Sequence, residues 1–219
     1  MITKVIAIDG PAAGGKGTIA KKLAEYFDFA HMDTGALYRL VGWGVLQDGG
    51  NPDSKEDAIA AAYYLKSNFV PEMSENELIR SAEVGNAASQ VGFFPEVRQA
   101  LHELQVNFAQ NPPEEKKGAV LDGRDIGTVI CPNADVKLYV TASTEVRADR
   151  RTKELQGRGF DVAYENILED MRIRDERDAG RDAAPMKPAD DAILVDTSAI
   201  DAEEAYSVAL QQVLKSISK

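Results

Sequence analysis

The sequence predicts an α/β fold: a parallel five-stranded sheet flanked by helices. Short apolar runs of strand length alternate with longer segments whose apolar residues recur at helical spacing. Those helical segments are long enough to serve as the crossovers that parallel strands require. A glycine-rich turn also joins the first apolar run directly to the first helical pattern.

Taken in order, Val5-Ile6-Ala7-Ile8 reads as a buried strand, followed after the turn by a helix from Thr18 to Phe27, apolar at Ile19, Leu23 and Phe27. Ala36 to Leu46 reads as a second helix closed by Gly49-Gly50, and Asp53 or Ser54 can cap a third reaching Leu65. Phe69-Val70-Pro71 is only a weak extended candidate. Val84 to Val91 and Glu96 to Ala109 read as helices, the latter closed by Asn111-Pro112-Pro113. Gly118 to Asp122 and Val136 to Thr141 are further strands. Ser143 or Thr144 caps a helix to Leu155, and another covers Ala163 to Arg177. Ala192 to Asp196 is the last strand, before a closing helix from Asp201 to Ile217. Residues 1–219 are expected to form one domain. Residues 51–94 fit the alternation least well and read as an insertion on the edge of the core.

At 219 residues the chain can bury a core without disulfides, and its single cysteine, Cys131, excludes an internal one. No apolar run approaches the ~18 residues of a membrane span. Met1-Ile2-Thr3-Lys4 leads straight into a strand, which leaves no room for a signal peptide and points to the cytoplasm. A formal charge of −11 argues against nucleic-acid binding, whose affinity comes from excess Lys and Arg. Yet eight of the twelve arginines fall between Arg147 and Arg181, interleaved with acids. Such a segment can grip a small polyanion while the whole protein stays acidic; alone, it also fits a solvated, salt-bridged helix.

Three segments carry chemistry. Gly10-Pro11-Ala12-Ala13-Gly14-Gly15-Lys16-Gly17-Thr18 matches the Gly-x4-Gly-Lys phosphate-binding loop between a strand and a helix. Backbone N–H groups can curl around a phosphate only where side chains do not crowd it, and the helix adds its positive N-terminal end. Lys16 would reach the terminal phosphates, and a hydroxyl would bind or orient Mg2+. The usual Ser or Thr directly after the lysine is displaced by Gly17, so the hydroxyl is that of Thr18. In the second segment, His31 to Arg39, Asp33 or Thr34 caps a helix that carries Tyr38 and Arg39 about one turn in, a plausible phosphate clamp or an ordinary capped helix. The third, Asp122-Gly123-Arg124-Asp125-Ile126-Gly127-Thr128, lies at the carboxyl end of a buried strand, where open α/β sheets bind ligands. Asp122 is placed like the Mg2+-orienting acid of phosphate-loop enzymes.

The Gly-Lys-Gly-Thr ending resembles nucleoside monophosphate kinases. Together with Asn86-Ala-Ala-Ser-Gln-Val91, Pro95-Glu-Val-Arg98 and Arg174-Asp-Glu-Arg-Asp-Ala-Gly-Arg181, the three segments make the chain similar to the bacterial cytidylate kinases over nearly its whole length. The resemblance implies a phosphate-loop kinase core, a lid at 145–181, a monophosphate-binding insertion at 51–94, and transfer of a phosphoryl group from ATP to CMP or dCMP with Mg2+. It implies that Ser89, Arg98 and Asp125 bond the cytosine ring, that Arg174 and Asp178 contact the ribose, and that Thr34, Arg39, Arg124 and Arg181 hold the monophosphate, beside Tyr38. Lys16, Arg124, Arg150 and Arg181 would neutralise the transferred group, with Arg147 or Arg151 able to replace Arg150. Thr18 and Asp122 would hold Mg2+, directly or through water. The loop after Asp196 would hold adenine through backbone groups.

Two departures stand out. Thr34 replaces the family's usual Ser and keeps the hydroxyl, and Phe69 to Val84 is too short for the full insertion with a small antiparallel sheet common in bacterial members, so the sheet is expected to be incomplete. No general base is evident, and His31 and His102 read as structural. A kinase for a different small acceptor is the main alternative, and the Ser89, Arg98 and Asp125 trio weighs against it. A nucleotide-gated switch should carry Asn-Lys-x-Asp or Leu-Ser-Gly-Gly-Gln, and neither is present. The expected protein is a monomer acting on free nucleotides.

Overall fold

The computed structural model describes residues 3–217; Met1 and Ile2, on which the reading of the N-terminus leans, lie outside them. Five strands form one sheet in the order β2-β3-β1-β4-β5. They are β1 (Lys4–Asp9), β2 (Ala30–Asp33), β3 (Gly118–Gly123), β4 (Val136–Thr141) and β5 (Ile193–Asp196). β1 pairs in parallel with β3 and β4, and β4 with β5. The helices are α1 (Lys16–Phe27), α2 (Thr34–Gln47), α3 (Lys55–Asn68), α4 (Ala82–Val91), α5 (Pro95–Gln110), α6 (Thr144–Gly157), α7 (Tyr164–Ala179) and α8 (Ala202–Ile217). The parallel α/β expectation is met.

β2 is the strand that the apolar pattern did not single out. The weak candidate at Phe69-Val70 is extended but turns at once into a 3-10 segment, Pro71–Glu75, outside the sheet. A second such segment, Glu77–Arg80, follows, and the described residues from Phe69 to Val84 hold no strand.

The chain divides into two compact units, Met1–Met32 with Val106–Lys219, and Asp33–Gln105. The first contains most of the sheet. Ile6, Ile8, Val120, Leu138 and Val140 pack with Ile19 and Leu23 of α1 and Ala209 and Val213 of α8 on one face. On the other face, Ala7, Ala119 and Leu121 meet Ile126, Ile130 and the end of α5 from Val106. The strands are apolar on both sides because helices cover both, as parallel sheets require. In the second unit α2 packs against α3 and α4, burying Leu37, Val41, Val45, Ala62, Val84 and Val91. The segment 51–94 lies inside this unit, and 145–181 lies inside the first. Among the described residues no helix is long and apolar enough to cross a membrane.

The join between β1 and α1 depends on Gly10. Its φ is +139°, a conformation L side chains rarely adopt, and a Cβ there would lie 2.0 Å from the carbonyl oxygen of Val140 on the neighbouring strand. Neither the dihedral nor the strand carbonyl can give. Gly10→Ala should therefore cost about 3 kcal/mol and lower Tm by about 6–12 °C, read by calorimetry; an unchanged Tm would refute this packing account.

Candidate active site

The turn after β1 runs from Gly10 straight into the first turn of α1. Ala13 (φ 56°) and Gly15 (φ 95°) take left-handed conformations, and Gly15 caps α1 without a side-chain bond. Lys16 is buried and donates from Nζ to the Pro11 carbonyl at 2.6 Å, so its charge is folded back over the loop. Gly15 and the exposed Thr18 line a pocket with Ile19, Arg150, Thr197 and Asp201.

Thr197, after β5, ties that pocket together. Its hydroxyl is 3.1 Å from both the Gly14 and Thr141 carbonyls, and its backbone N–H donates to Thr141. Arg150 of α6 donates to the Thr197 hydroxyl (2.9 Å), the Thr197 carbonyl (2.7 Å) and the Ile200 carbonyl (3.3 Å). Arg150 thus lies with the loop after β5. Arg147, one turn earlier, is buried and donates to the carbonyls of Ala142 and Ala12, to Thr144 and to Asp175 of α7. Arg151 pairs with Glu154 of its own helix.

The carboxyl edge of β3 carries Asp122, Arg124 and Asp125. Asp122 is buried, and its Oδ2 is 2.8 Å from Nε2 of His31 on β2, which orients the carboxyl. Arg124 donates from Nε to Asp178 at 3.2 Å and from Nη1 to the Gly123 carbonyl. Asp178, at the end of α7 and only 2% exposed, also bonds Arg181 and pairs with Arg174 at 3.9 Å. Three guanidinium groups thus share one buried carboxylate. Burial first, then the neighbouring Arg124 charge, pull Arg174 down to about 10 against the attraction of Asp178, yet it remains cationic at neutral pH. Its Nε is buried without a hydrogen-bond partner.

Asp9 closes β1 and was not singled out by its sequence setting. Its two carboxyl oxygens each accept a backbone N–H at 2.7 Å, from Ile126 and from Gly127. Burial pushes its carboxyl up to about 6; the Gly127 and Ile126 bonds oppose this, Asp125 adds to it, and Lys16 opposes it weakly.

In the second unit, Asp33 caps α2 by accepting from Ala36, and Arg80 donates to its other oxygen at 2.9 Å. Thr34 and Ser89 are both buried. Tyr38 and Arg98 come together, the guanidinium 5.4 Å from the ring centroid, while Arg98 also donates to the Gly92 carbonyl. Arg39 donates to the carbonyls of Ile79 and Ser81.

A phosphate loop at the head of a parallel sheet, with a folded-back lysine and an arginine cluster in the same unit, defines a phosphotransferase of the P-loop kinase class. The family model described as cytidylate kinase matches residues 6–215. A protein named cytidylate kinase from Rhodospirillum rubrum is 53% identical over 206 residues, covering 94% of this chain and 95% of its own length. Another of that name from Xanthobacter autotrophicus is 55% identical, with the same coverage. The chain belongs to the cytidylate kinase family. Among solved structures, an uncharacterized protein from Eubacterium ventriosum aligns over 97% of this chain and 99% of its own with a TM-score of 0.55; at 17% identity that likeness speaks for the fold alone.

Arg147 links α6, α7 and the Ala12 carbonyl while almost wholly buried, so its loss strands Asp175 and three further acceptors. Arg147→Ala should cost about 3 kcal/mol in urea unfolding. A change below experimental error would show that these bonds are replaced by water.

Proposed function

We propose that the protein transfers the γ-phosphoryl group of ATP to CMP and dCMP, giving ADP and CDP or dCDP. The observation that carries this reading is the sharing of Asp178 by Arg124, Arg174 and Arg181. The cluster gathers three guanidinium groups beside one carboxylate, and guanidinium groups suit the oxygens of a phosphate monoester. Membership of the cytidylate kinase family supplies the base and the reaction.

In-line phosphoryl transfer asks the protein for positioning and charge neutralisation more than for covalent chemistry. Gly10 to Thr18 cradle the ATP phosphates through backbone N–H groups, and Lys16 releases the Pro11 carbonyl to meet the terminal phosphates. Arg124 and Arg181 hold the acceptor phosphate and neutralise charge as it develops, with Thr34, Tyr38 and Arg39 as its further contacts. Arg174 and Asp178 meet the ribose. Ser89, Arg98 and Asp125 read the cytosine edge, where a carboxylate facing the exocyclic amine and a guanidinium facing the ring acceptors form complementary bonds. A base that leaves those groups unpaired is rejected. Arg150 orders the loop after β5 beside the donor pocket and reaches the phosphates only if it leaves Thr197.

Thr18 and Asp122 offer oxygen donors, the type Mg2+ takes. Among the described residues no group of three or more His, Cys, Asp or Glu side chains could hold a metal ion, and Thr18 and Asp122 would hold Mg2+ together with the nucleotide or through water. Once bound, Mg2+ offsets phosphate charge in the transfer. The same reading assigns the enzyme to the cytoplasm, as a monomer acting on free nucleotides and not on nucleic acid, in keeping with its acidic charge.

The deciding experiment offers CMP, dCMP, UMP and AMP together with ATP and Mg2+. CMP and dCMP should be phosphorylated first; preference for AMP would overturn the reading. Lys16→Ala should lower kcat by about 10²–10³-fold while the circular dichroism spectrum is retained, and near-normal turnover would remove the lysine from its role.

A further inference from the structure

We infer that Asp9 is a positioning residue for the acceptor site, its carboxylate anchoring the turn that carries Arg124 and Asp125. Ile126–Ile130 is a single π turn, a rare geometry found mostly at functional sites. Within it the N–H groups of Val129 and Ile130 both reach the Asp125 carbonyl, and Cys131 reaches Ile126. The first two N–H groups, those of Ile126 and Gly127, precede any acceptor the turn can offer, as at every helix start. Asp9 supplies both, one oxygen to each, at 2.7 Å.

The residue types fit this duty. A buried carboxylate is costly unless its oxygens are bonded, and charge-assisted bonds to two consecutive amides offset much of that cost. A Cβ on Gly127 would sit 3.3 Å from Asp9 Oδ2 and 3.1 Å from the Lys137 stem, so glycine leaves the approach open. Because Asp9 directly precedes Gly10, one side chain fixes the acceptor turn to the strand end from which the donor loop springs. The inference rests on reading Arg124 and Asp125 as acceptor contacts.

Asp9→Asn keeps the shape but turns one accepting oxygen into an NH2 group, which cannot accept from a backbone N–H. It should raise the KM for CMP about tenfold and cut the preference for CMP over UMP, while the KM for ATP stays within about twofold. A wild-type CMP KM and preference, or an equal rise in both KM values, overturns the inference. Asp125→Ala run alongside separates the two readings. Lost preference there with wild-type behaviour in Asp9→Asn sinks the positioning role alone, and wild-type behaviour in both sinks both. An effect in Asp9→Asn with none in Asp125→Ala supports the positioning role and removes Asp125 from base recognition. Should Asp9→Asn not fold, amide hydrogen exchange on the wild-type enzyme decides: Ile126 and Gly127 should exchange slowly, and exchange at the rate of exposed-loop amides would overturn the anchor.

Discussion

Like charges packed together out of water repel, and the carboxyl edge of this sheet is organised around that cost. Arg124, Arg174 and Arg181 reach it from two stretches of chain, and all three pair with Asp178. Such a cluster favours an anion, because charge-assisted bonds are strongest where the dielectric is low. Burial is the first cause of the lowered Arg174 pKa and the neighbouring Arg124 the second, and its Nε is buried without a hydrogen-bond partner. Removing Asp178 would therefore change more than one contact.

The donor side follows the opposite logic. On our proposal the backbone does the binding there: Ala13 and Gly15 take left-handed conformations and Gly10 has no room for a side chain. Lys16 is the one strong charge in the loop, and it is held by a carbonyl. Thr197 then braces the loop from behind through Gly14. A stiff cradle beside a charge-loaded clamp suits a reaction in which little needs to be made or broken by the protein itself.

The phosphate loop was legible because backbone chemistry enforces small residues at fixed spacing, and α1 to α8 were legible from apolar periodicity and caps such as Ser54 and Ser143, both of which bond as caps. The strand β2 was not. It is four residues long, and His31 and Asp33 interrupt its apolar character. Asp9 was hidden for another reason: its partners lie 117 and 118 residues away, a distance no local pattern encodes. The choice among Arg147, Arg150 and Arg151 was likewise open, because spacings of three and four residues put all three on one helix face and only packing decides which meets what. Here Arg147 points to α7, Arg150 to Thr197 and Arg151 to Glu154. The trio Ser89, Arg98 and Asp125 drew its assignment from family resemblance; its bonding partners do not by themselves specify a base.

The four bonds of Arg147 have a mechanical side. Ala12 belongs to the donor loop, Ala142 and Thr144 to the root of α6, and Asp175 to α7, so one guanidinium rivets three pieces at a single point. The helix pair runs outward from that point to the exposed Arg158 to Asp161 corner, which makes none of these four bonds.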